Sequence, residues 1–98
     1  MYNDKELINE MIFEYNELSN MVYYMLKVGL YATFKEKYNL CYNRKQFLIS
    51  YLGQLKGIER HWVKTIKEYN GKKYHYAYLE LARKEIGDVS TEEDVENG

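Results

Sequence analysis

Between Asn43 and Gly71, apolar side chains at Phe47, Tyr51, Leu55, Ile58, Trp62, Ile66 and Tyr69 recur every three or four residues. That spacing lines side chains along one face of an α-helix. No other feature constrains the fold as strongly. Asn43 stands where an N-cap belongs, and Asn70-Gly71 stands where a helix stops. The spacing therefore predicts a long central helix over about 43–70. Lys45, Lys56, Arg60, Lys64 and Lys67 project to its opposite side as a basic face. Gly53 and Gly57 weigh against continuity, since each glycine inside a helix costs about 1 kcal/mol relative to alanine. Read with Ser50 as a flank of small residues, they are compatible with a close backbone contact, and an unbroken helix is expected.

The chain has no proline, so nothing locks φ or removes a backbone donor along a long helix. Upstream, Asn3 or Asp4 can cap a first helix, whose apolar stripe is Leu7, Met11, Tyr15, Leu18, Val22 and Met25. Gly29 predicts a break or kink, with a short helix following over Leu30 to Lys37. Glu6, Glu10 and Glu14 lie four residues apart with Glu17 beside them, an acidic face. Like charges at that spacing destabilise a helix by a few tenths of a kcal/mol per pair. Cations opposite them, from this chain or from a partner, would remove that cost.

After Gly71 the pattern fits two templates. Tyr74, Tyr76 and Tyr78 alternate as in a strand, whereas Tyr74, Tyr78, Leu81, Ala82 and Ile86 fit a helix closed by Gly87. The run Leu-Glu-Leu-Ala-Arg-Lys-Glu is rich in helix formers, so a helix is expected. The resulting fold class is all-α, a small bundle of three to four helices around the long central one. Residues 1–87 form a single helical domain, and residues 88–98 an acidic, flexible tail. Leu7, Met11, Leu18, Val22, Met25, Phe47, Tyr51, Leu55, Ile58, Trp62, Ile66 and Leu81 are its expected core. If that core is too thin for a monomer, the leftover apolar edge predicts a symmetric homodimer.

Charge narrows the choice of partner. The first 26 residues hold one lysine against five acids, residues 27–84 hold thirteen Lys and Arg against four acids, and residues 85–98 hold six acids and no base. The net charge of −1 thus hides a basic middle between acidic ends. Eight of the twelve tyrosines fall in that middle. Lys72 and Lys73 beside Tyr74, His75, Tyr76 and Tyr78 interleave cations with stacking surfaces, as nucleic-acid binders do. A helix-turn-helix is a second form of the same idea. Its first helix would be Leu30–Lys37, its turn Tyr38–Tyr42, and its recognition helix would open at Asn43-Arg44-Lys45-Gln46.

Chemistry is poorly served by these residues. His61 and His75 lie fourteen apart and Cys41 is the sole cysteine, so neither a metal-ligand spacing nor an internal disulfide is present. No nucleophile elbow or glycine-rich phosphate loop occurs. A ribonuclease-like use of His75 with Lys72 and Lys73 lacks a second histidine or carboxylate at a defined spacing. No metal, no cofactor and no catalytic residue are expected. The most apolar run, Met21 to Phe34, is cut by Lys27 and is shorter than the roughly 20 residues a membrane span requires. Together with the single cysteine, this sets the expectation of a cytoplasmic chain.

The functional expectation is a small non-enzymatic protein that inhibits or modulates a larger protein or protein–nucleic acid complex by occlusion. Its basic face (Lys45, Lys56, Arg60, Lys64, Lys67, Lys72, Lys73), the aromatic side chains of Tyr74, Tyr76 and Tyr78, and its acidic face would make the contacts. The Lys-, Asn-, Ile- and Tyr-rich composition is of a kind common in AT-rich phage and mobile-element genomes. The alternative is a DNA- or RNA-binding transcriptional regulator using the basic, tyrosine-rich middle.

Overall fold

The computed structural model describes residues 4–84, so the expected tail at 88–98 lies outside the described residues. Two helices, α1 (Asp4–Val28) and α2 (Lys35–Leu52), are followed by two strands, β1 (Ile58–Tyr69) and β2 (Lys72–Arg83). The fold is α+β, which corrects the expected all-α bundle. The long helix over 43–70 does not form. Its first third belongs to α2 and its last two-fifths to β1, with Gly53 to Gly57 as the turn between them.

The reversal sits at Asn70-Gly71. Both residues take positive φ, 53° and 77°, and Tyr69 faces Lys72 directly across a two-residue loop. Asn-Gly is the pair that most easily adopts the doubly left-handed turn whose twist matches a β-hairpin. The dipeptide therefore closes a hairpin instead of ending a helix. Val63, Thr65 and Lys67 then face Tyr78, Tyr76 and Tyr74 of β2, while Trp62, Lys64 and Ile66 face Leu79, Ala77 and His75, in a register running from Ile58 opposite Arg83 to Tyr69 opposite Lys72.

At the other break, Gly29 has φ 91° and its N–H donates to the Met25 carbonyl, so α1 ends where glycine predicts it. The expected short helix over 30–37 is instead a set of turns running into α2, which starts at Lys35. Because α2 continues unbroken through Tyr38–Tyr42, the helix-turn-helix reading also fails.

α1 is the organising element: it packs on α2 along one side and on β2 along another. The buried core is Ile12, Tyr15, Val22, Met25, Leu48, Leu52, Tyr78 and Leu81. Of the expected core, Val22, Met25 and Leu81 are buried, and Met11, Leu18, Leu55 and Ile58 pack partly buried against it. Leu7, Phe47, Tyr51, Trp62 and Ile66 are exposed. On α2 the correction is a rotation of one residue, since Leu48 and Leu52 face α1 in place of Phe47 and Tyr51.

Candidate functional site

The rotation of α2 leaves an apolar surface uncovered. At about 100° per residue, Leu40, Phe47 and Tyr51 fall within roughly 40° of one another on a flank about 100° round the helix from Leu48 and Leu52. Leu40 is 73% exposed and Phe47 59%. Arg44 lies in the same row, its guanidinium 5.3 Å from the Phe47 ring centre. Arg44 also donates twice to the Glu14 carboxylate, from Nε at 2.9 Å and from Nη2 at 3.1 Å. This pairing joins the α2 surface to α1 and holds the Glu14 carboxyl below its usual range. Thus one member of the expected acidic face meets a cation from its own chain, while Glu6, Glu10 and Glu17 are exposed on α1.

Beneath α2, Lys45 departs most from expectation. Placed by its sequence on a basic face, it is only 7% exposed. Its ammonium lies 5.9 Å from the Tyr15 and Tyr23 ring centres and 5.4 Å from that of Tyr42. It donates to Gln46 Oε1 at 2.8 Å. Three ring faces and an amide take the place of a carboxylate, and burial pushes the Lys45 pKa down. Ser19, on α1 between Tyr15 and Tyr23, is fully buried.

The remaining cations do not share one face. Lys56 lies in the turn before β1. Arg60 and Lys64 occupy one face of β1 with Trp62 and Ile66, and Lys67 the other, because strand residues alternate. Lys72 and Lys73 flank the turn on β2. Tyr74, Tyr76 and Tyr78 share a face of β2, but two of them turn inward. Tyr78 is buried. The Tyr76 hydroxyl donates to Asn20 Oδ1, and its ring meets Tyr24 at 6.0 Å. Burial and neighbouring phenols push the Tyr76 pKa up to about 12. Tyr74 remains half-buried, with the Lys72 ammonium 5.2 Å from its ring centre. The expected aromatic contact cluster is therefore mainly hairpin-to-helix packing.

β1 carries another uncovered surface. Trp62 is 63% exposed, and its ring meets Tyr23 edge-on at 5.9 Å. Ile66, on the same face, is 56% exposed. Beside it, Lys64, Ile66, His75 and Ala77 line part of an open depression. The alternation of Tyr74, Tyr76 and Tyr78 directly after Asn70-Gly71 is the signal that could have located this ribbon from sequence.

Among the described residues no group of three or more His, Cys, Asp or Glu is placed to hold a metal ion, and no helix is long and apolar enough to cross a membrane. Compared with family models, curated proteins and solved structures, the chain has no match. Its surfaces must be read from their own geometry.

Proposed function

We propose that this chain is a non-enzymatic binding protein that docks on a larger protein through the outer side of α2 and occludes it. One observation carries the reading: Leu40, Phe47 and Tyr51 form an uncovered row on one side of a helix. Apolar side chains at helical spacing are the anchors of helix-in-groove recognition. Arg44 and Glu14, paired at the edge of the row, suit a polar rim around such anchors.

The test places a photo-crosslinking residue at Phe47 and, as a control, at exposed Lys35, in cells that carry the protein. A discrete adduct from position 47 alone, lost when Leu40→Glu is added to a chain that still folds, is the expected result. Equal labelling from both positions, or none at 47, would overturn the reading.

A second reading rests on the hairpin. A two-stranded ribbon fits the major groove of DNA, and Lys64, Lys67, Lys72 and Lys73 lie in its distal half against Glu68 as the one acid. Fluorescence anisotropy with labelled oligonucleotides decides it. Binding that falls steeply with salt and is lost in Lys72→Glu/Lys73→Glu supports a nucleic-acid-binding regulator; no binding at low salt removes it.

A further inference from the structure

The outer edge of β1 has a defined set of backbone donors and acceptors. Lys84 N–H donates to the Gly57 carbonyl at 2.6 Å, so the pair at the start of the ladder is hydrogen-bonded across the hairpin. Hydrogen-bonded pairs alternate with outward-facing pairs in an antiparallel ladder, and the register is unbroken from Ile58 to Tyr69. Arg60, Trp62, Lys64, Ile66 and Glu68 therefore turn their N–H and C=O groups away from β2. Leu81, opposite Arg60, agrees with this assignment, because its own N–H and C=O face away from β1 to Asn16. β2 has α1 packed against it, while the five outward residues of β1 are all exposed.

We infer that β1 pairs with β1 of a second copy, antiparallel, about a two-fold axis through Lys64. In this register Arg60 faces Glu68 of the other copy and Trp62 faces Ile66, each pairing occurring twice by symmetry. Moving the axis to Val63 sets Trp62 against Lys64 and Arg60 against Ile66. Moving it to Thr65 sets Trp62 against Glu68 and Lys64 against Ile66. Of these three, only the Lys64 register matches cation with anion and apolar with apolar; an axis at Ile66 sets Lys64 against Glu68 and Ile66 against itself, but it shortens the ladder and leaves Trp62 opposite the turn residue Asn70. Two hairpins then become one four-stranded sheet in the order β2-β1-β1-β2, with a Trp62–Ile66 pair on either side of the central Lys64 residues. The open edge, otherwise a template for uncontrolled pairing, closes on itself. The unfavourable element is Lys64 facing its own copy, where long side chains can splay into solvent.

Sedimentation velocity of the pure chain over a wide concentration range tests the inference, with fluorescence of its single tryptophan as a second signal. The expected result is a reversible dimer whose formation shifts Trp62 emission to the blue. Lys64→Pro removes an outward N–H that the hairpin does not use, so it should leave a monomer with an unchanged far-UV spectrum. Arg60→Glu and Glu68→Arg should each weaken association by roughly tenfold, because symmetry repeats each change, and the double swap should restore it. That rescue cannot come from a misfolded chain. A wild type that stays monomeric, a dimer indifferent to Lys64→Pro, or a double swap no better than the single changes would each overturn the inference. A strand from another protein on this edge would leave the pure chain monomeric and so counts against it.

Discussion

Asn16 on α1 pairs with the backbone of Leu81 on β2 as a second strand would: Leu81 N–H donates to Asn16 Oδ1 at 2.8 Å, and Asn16 Nδ2 donates to the Leu81 carbonyl at 3.0 Å. One side-chain amide thereby satisfies both edge groups of a buried strand residue and fixes the hairpin along α1. Asn16→Ala would strand a buried N–H and C=O, each costing about 1–3 kcal/mol when unmet. Urea denaturation should show a loss of roughly 2 kcal/mol or more, well above that of an ordinary exposed asparagine.

The α2 surface depends on which of two adjacent stripes faces inward. Leu48→Ala removes a side chain with 0% exposure and should cost about 2–5 kcal/mol. Phe47→Ala next to it should change stability by less than about 1 kcal/mol. The two denaturation midpoints report the rotation of α2 directly; equal losses would contradict it.

Gly71→Ala is a loss in either fold, whereas Gly57→Ala gives a prediction of opposite sign for hairpin and helix. At φ 77° a Cβ is strained, and the variant should lose about 1–2 kcal/mol. Were 43–70 helical with Gly71 past its end, the cost would be paired with gains at Gly53→Ala and Gly57→Ala of about 1 kcal/mol each. Gly57 has φ 81° in the structure, so Gly57→Ala should also be a loss. Thermal melts of the single variants separate the two folds.

Alkaline pH acts on two sets of groups with opposite sign. Tyr15, Tyr38, Tyr76 and Tyr78 have raised pKa values, each chiefly through burial. Below the unfolded value of 10 these phenols are protonated in both states. Above it the unfolded chain ionises first, so stability falls as pH rises, for Tyr76 up to about 12. Lys45 has a lowered pKa, so its buried charge is a cost that is relieved as pH climbs toward 10.5. Four groups against one predict net loss above pH 10. Denaturant midpoints taken across that range should fall less steeply in Tyr76→Phe and more steeply in Lys45→Met.

At neutral pH, Lys45→Met should hold stability or raise it by about 1 kcal/mol or more. A charge without a carboxylate partner leaves the interior, and a flexible thioether takes its place among three rings. Lys45→Glu should be strongly destabilising by comparison, since a carboxylate against tyrosine ring faces loses the cation–ring attraction and gains repulsion. Midpoints in urea at pH 7 check both.

What the sequence by itself determined is the first helix and its C-terminal end. The spacing of Val22 and Met25, and the αL turn that Gly29 permits, are local properties that hold in any tertiary setting. The basic middle is equally legible, as composition. Tertiary structure decided the rest. Ile58, Trp62 and Ile66 are four apart, an interval that lies close to a helical turn and is also an even number, so it satisfies a strand as well. Asn70-Gly71 likewise serves as a helix stop or as a hairpin turn, and only a partner strand in register makes it the latter. On α2 the stripes Phe47–Tyr51 and Leu48–Leu52 have the same period. Docking against Tyr15 and Ile12 of α1 chose the second, buried Lys45 among tyrosines, and left Leu40, Phe47 and Tyr51 facing outward.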